Sequence, residues 1–100
     1  MKYGLSDSEY SFLVEHLITP LKERGAQVFL FGSRATGKYK KFSDIDILYK
    51  NPTVAIPNSE IYRLLIHLEE STFPYKIDLV CDNELAASYR DSVEISKIEL

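Results

Sequence analysis

Residues 32–46 read GSRATGKYKKFSDID, a Gly-Ser turn leading to two alternating aspartates. The turn follows Val28-Phe29-Leu30-Phe31, an apolar run with the length and residue types of a buried strand. A small turn directly after such a strand, opening a helix, presents backbone N–H groups suited to a phosphate. Ten residues separate Ser33 from Asp44. Asp44 and Asp46 alternate with Ile45 and Ile47, so a strand here sends both carboxylates to one face and both isoleucines to the other. Residues two apart on a strand lie about 6.6 Å apart, close enough for the carboxylates to repel. A cation between them would offset that repulsion. Mg²⁺ suits the place, because it takes oxygen ligands and reaches phosphates at the same time.

A third aspartate sits in Lys76-Ile77-Asp78-Leu79-Val80. Asp78 opposes its apolar neighbours in facing, and a carboxylate within a core strand is costly unless paired. If this strand lies beside Asp44–Tyr49, three carboxylates gather, enough for two Mg²⁺ roughly 3.5–4 Å apart, the arrangement used in phosphoryl and nucleotidyl transfer.

The rest of the chain alternates helix and strand. Ser6-Asp7-Ser8-Glu9 has capping-box spacing. Tyr10, Leu13, Val14, Leu17, Ile18 and Leu21 then form a helical apolar stripe, which Pro20 should kink or interrupt and Gly25 should stop. Strands are expected at 27–31, 44–49 and 76–81, with a short helical turn at 33–37. A loop bounded by Pro52 and Pro57 precedes a helix capped by Asn58 or Ser59, whose buried face is Ile61, Leu64, Leu65 and Leu68. A last helix is expected from Glu84 to about Ile98. The fold class is α/β (α+β): one domain, 1–100, with a mixed three-stranded core sheet and about four helices.

Composition bounds the function. With 45% hydrophobic residues the chain can fill a core. A net charge of −3 argues against nucleic-acid binding by bulk charge, although Lys38, Lys40 and Lys41 make a local basic patch that could steer an anionic nucleotide. The single cysteine, Cys81, precludes an internal disulfide and fits a reducing, cytoplasmic setting; it reads as a small buried apolar residue. There is no apolar run of membrane-spanning length, and the first residues lack the apolar core of a secretory signal. His16 and His67 have no partner at metal-ligand spacing and read as surface or packing residues.

Two motifs compete for the Gly-Ser stretch. Gly32–Lys38 matches the first seven positions of a P-loop, but Tyr39 stands where that motif needs a small hydroxyl, and a strand follows where it needs a long helix. Gly32-Ser33, the ten-residue spacer, Asp44-Ile45-Asp46 and the later Asp78 instead resemble the DNA polymerase β-like nucleotidyltransferase superfamily. Within it the chain resembles the minimal nucleotidyltransferases that partner HEPN proteins, along nearly its whole length. The resemblance implies that Gly32, Ser33 and Arg34 bind the nucleotide triphosphate. It implies that Asp44, Asp46 and Asp78 are the catalytic and metal-binding residues of a two-Mg²⁺ site using ATP, with Asp78 helping to activate the acceptor. It further implies transfer of AMP to a protein hydroxyl, a tyrosine of a HEPN ribonuclease toxin, by an antitoxin; neutralisation by contact alone is the alternative. Homo- or hetero-oligomers are compatible with either.

Overall fold

The computed structural model describes residues 1–100. Its opening helical run begins with α1 (Asp7–Leu13), passes through one π turn (Val14–Ile18) and ends in α2 (Thr19–Glu23). The capping box forms as the spacing dictates: the Ser6 N–H donates to Glu9 Oε1 at 2.8 Å, and the Glu9 N–H donates to Ser6 Oγ at 3.2 Å. Pro20 neither ends the helix nor splits it. Proline has no N–H to donate to residue 16 and crowds that carbonyl. The wide turn just before it accommodates this, with the Thr19 N–H reaching back to the Val14 carbonyl. Gly25, at φ +91°, closes the run: its N–H meets the Lys22 carbonyl, and the Ala26 N–H meets Leu21.

The sheet has four strands, β1 (Gln27–Phe31), β2 (Ile45–Lys50), β3 (Ile77–Cys81) and β4 (Ile98–Glu99), in the order β3-β2-β1-β4. β1 runs antiparallel to β2 and β4, while β2 and β3 are parallel. β4 departs from the expected three strands. The last helix, α5, covers only Ala87–Ser96; Asp82–Glu84 is a 3₁₀ turn, and the chain turns extended at Lys97. Ile98 then pairs with Leu30, and the Leu100 N–H bonds the Val28 carbonyl at 2.9 Å. A two-residue strand is too short to show a period in sequence, and edge pairing with β1 decides it. The remaining helices are α3 (Ser33–Thr36) and α4 (Asn58–Glu69). Neither Asn58 nor Ser59 caps α4; Pro57 takes the cap position and no side chain bonds there.

Alternation along the strands makes two unequal layers. Val28, Leu30, Ile45, Ile47, Tyr49 and Cys81 face the opening helical run and α4, and with Leu13, Leu17, Leu21, Ile61 and Leu68 form the main core. The other face holds a smaller cluster, Phe29, Leu48 and Val93, where α5 covers part of the sheet. The same alternation that buries Ile45 and Ile47 leaves Asp46 on this second face. No helix is long and apolar enough to cross a membrane. Leu17, with no exposed surface, lies at the centre of the main core. Leu17→Ala should therefore cost about 2–5 kcal/mol, read in urea unfolding as a lower midpoint with little change in slope.

Candidate active site

The ends of three strands define the site. β2 and β3 run parallel in register, so Asp46 is directly opposite Asp78, and Ile45 opposite Ile77. Adjacent strands are about 4.8 Å apart, which sets the two carboxylates side by side on one face. Asp44, two residues before Asp46, precedes the strand and is exposed, as is Asp78; Asp46 is half-buried. Across the other neighbour, Phe31 of β1 pairs with Asp46. Gly32 and Ser33 follow Phe31 directly, which brings the turn to the same end of the sheet as the aspartates.

Gly32 has φ +74° and ψ −156°, a backbone that side chains rarely adopt. A Cβ on it would run into the Asp46 carboxylate, with Asp46 Cγ at 3.1 Å and Cβ at 3.3 Å. Only glycine lets the turn come this close. The first N–H groups of a helix have no partner within it, and those of Ser33 and Arg34 are bonded to no other backbone carbonyl. A row of free donors therefore stands beside a half-buried carboxylate, which is where a phosphate bridged to Asp46 by a cation would lie.

Electrostatics carry the mark of that crowding. Burial pushes the Asp46 carboxyl above its ordinary value, and the charges of Asp78 and Asp44 push it further; Arg34 acts in the opposite sense. The oxygens do not close on a common point: no three His, Cys, Asp or Glu side chains converge as a ready metal cage. The donor set, carboxylates beside a glycine cradle and free N–H groups, fits a hard divalent cation carrying phosphate oxygens.

The Arg34 side chain turns inward from the Gly-Ser turn. It is 2% exposed, the only charged residue in the interior. Nε and Nη2 both donate to the Ser43 carbonyl, at 3.1 and 2.8 Å, and Nη1 donates to the Tyr3 carbonyl at 2.9 Å. Its guanidinium carbon lies 4.7 Å from the Tyr75 ring centre and 5.3 Å from that of Tyr39. A planar fork with five donors, sandwiched by aromatic rings, suits this interior better than any other cation. The guanidinium holds the residue before Asp44 and the residues leading into β3, while the Arg34 backbone N–H stays at the turn. Tyr3, Tyr39 and Tyr75, which carry no motif in sequence, share this role. Their acceptors and ring faces depend on loop paths that no local pattern encodes. Lys38, Lys40 and Lys41 are exposed on the loop between Gly37 and Ser43.

A sequence model of the nucleotidyltransferase domain matches residues 14–100. The chain belongs to the nucleotidyltransferase domain family. No curated protein matches it. Two solved structures share the fold. One is a toxin–antitoxin crystallised with AMP-PNP, 23% identical, with a TM-score of 0.64 over 85% of this chain and 69% of that one. The other is a mutant of the toxin–antitoxin MntA–HpeT, 23% identical, with a TM-score of 0.62 over 96% of this chain and 72% of that one.

Two outcomes are expected. Asp46→Asn removes a carboxylate whose pKa is raised on folding. Such a group costs stability above its unfolded value and costs nothing below it. The variant should be the more stable at neutral pH, and its advantage should fade as pH falls toward 3.8, measured by thermal unfolding at a series of pH values. Arg34→Ala strands two half-buried carbonyls and should cost on the order of 3 kcal/mol, again by urea unfolding.

Proposed function

We propose that the chain transfers AMP from ATP to a hydroxyl of a protein partner, and that it serves as the antitoxin of a HEPN ribonuclease toxin. The observation that carries this is the in-register pair Asp46–Asp78, with Asp44 two residues away, beside the free N–H groups of the Gly32–Ser33 turn. A protein that only bound a partner would gain nothing from keeping like charges together. The two structural neighbours, a toxin–antitoxin with AMP-PNP and MntA–HpeT, support the antitoxin setting.

The roles follow from position. The Ser33 turn holds the triphosphate through backbone N–H and hydroxyl donors. Asp44 and Asp46, with Asp78, would hold Mg²⁺, which when bound neutralises the phosphates and lowers the cost of bringing an oxygen nucleophile to phosphorus. Asp78, exposed at the start of β3, accepts the proton of the incoming hydroxyl. The hydroxyl oxygen forms a bond to the α-phosphorus while the bond to the leaving pyrophosphate breaks. The acceptor is a tyrosine of the docked toxin. With the phosphates held, positioning supplies most of the remaining rate. Apolar side chains suited to docking are exposed: Val54 at 82%, and Tyr89 and Ile95 of α5 at 62% and 86%. Ile56, in the same loop as Val54, is buried and contributes to the core instead.

Contact alone is the second reading, favoured by the same exposed apolar side chains. Incubation of the toxin with ATP, Mg²⁺ and this protein, followed by mass spectrometry, separates the two. Asp44→Ala should abolish added AMP on tyrosine, while Ser33→Ala should slow its transfer roughly tenfold, the loss of one hydrogen bond to a charged group. Equal inhibition of the toxin by wild type and Asp44→Ala, with no modification, would leave contact as the mechanism.

A further inference from the structure

Far along the sequence from the aspartates, two histidines meet. His16 lies in the π turn and His67 in the last turn of α4, 51 residues apart. His67 Nε2 is 3.1 Å from His16 Nδ1. The ring centres are 4.9 Å apart and the planes inclined at 37°. The rest of the surroundings fix His16. Phe12 packs on its ring at 4.1 Å between centres, and Glu15 Oε2 lies 3.5 Å from its other nitrogen, Nε2.

We infer that His16 Nδ1 and His67 Nε2 form a binding site for a divalent transition-metal ion of the zinc class. The site is separate from the carboxylate cluster and independent of the proposed transfer. Zinc–imidazole bonds are about 2.0–2.1 Å long. An ion at that distance from both nitrogens, themselves 3.1 Å apart, subtends an angle of about 98°, within the range of tetrahedral and octahedral coordination. Imidazole nitrogen is a ligand for zinc, nickel and copper rather than for Mg²⁺. The neighbouring carboxylate also favours one tautomer. Glu15 Oε2, 3.5 Å from Nε2, favours the proton on that nitrogen, which frees the Nδ1 lone pair, the arrangement that orients metal-binding histidines elsewhere. His67 then needs only to carry its proton on Nδ1. Water completes the coordination, because the protein supplies two ligands there and no third His, Cys, Asp or Glu converges. A bound ion would fasten the π turn, the least regular part of the opening helical run, to α4.

The test is isothermal titration of the untagged protein with zinc chloride at pH 7.5 and pH 5.5. One zinc per chain should bind at pH 7.5, and binding should be lost at pH 5.5, where imidazoles protonate. His16→Gln and His67→Gln, which retain a hydrogen-bonding side chain, should each weaken binding at least tenfold. Glu15→Gln should weaken it several-fold. Asp46→Asn should leave it unchanged. Zinc should also raise the melting temperature of wild type but of neither histidine variant, each of which should melt cooperatively without zinc. No binding below about 1 mM zinc, beyond the reach of a chelating pair, would overturn the site. So would affinity unaltered in His67→Gln, or affinity lost in Asp46→Asn.

Discussion

The parallel, in-register pairing of β2 with β3 is the constraint on which the rest depends. It matches Ile45 with Ile77 and Ile47 with Leu79 on the core side, and by the same alternation matches Asp46 with Asp78 on the other. A one-residue slip of either strand would turn its own aspartate toward the core and its apolar neighbours toward the other face. The hydrophobic core therefore holds two like charges together against their repulsion. Burial first, and then the charges of Asp78 and Asp44, raise the pKa of Asp46. Core and site are two faces of one register.

Holding the site also takes a buried cation. Arg34 follows the Gly-Ser turn, yet its guanidinium turns inward and ties three separate pieces of chain: the Tyr3 carbonyl, the Ser43 carbonyl beside Asp44, and the Tyr75 ring ahead of β3. Gly4 belongs to the same arrangement, because a Cβ there would press on the Tyr39 ring and come within 2.7 Å of Arg34 Nη1. A loop rich in lysine is thereby anchored at one end while its charged tips stay in solvent. The Gly-Ser-Arg stretch serves two purposes through adjacent residues: Gly32 lets backbone approach Asp46, and Arg34 secures the loop that delivers Asp44.

Much of this was legible in the sequence because it rests on short periods. The alternation around Asp46 and Asp78 located β2 and β3, and the apolar run before Gly32 located β1. Ser6 and Glu9 announced the cap, and Gly25 the stop. What escaped depends on tertiary contact. β4 is two residues long and exists because Ile98 and Leu100 find β1. The response to Pro20 is a π turn rather than a break, since the buried stripe of Leu13, Leu17 and Leu21 keeps the helix in place on both sides. The inward course of Arg34 depends on carbonyls of two loops. The meeting of His16 and His67 depends on how α4 packs across the opening helical run, which no spacing in the chain reveals.

The central claim is that the carboxylates of β2 and β3, with the Gly-Ser turn, form one metal–nucleotide site. Paramagnetic broadening by Mn²⁺ tests it most directly. In isotope-labelled protein with a non-hydrolysable ATP analogue, substoichiometric Mn²⁺ should broaden the resonances of Gly32–Ser33, Asp44–Asp46 and Ile77–Leu79 first. Residues at the far end of the sheet, Gln27 and Lys50, which pair with each other, should keep their line widths. Broadening that spared Asp46 and Asp78, or that spread evenly over the acidic surface, would contradict the account.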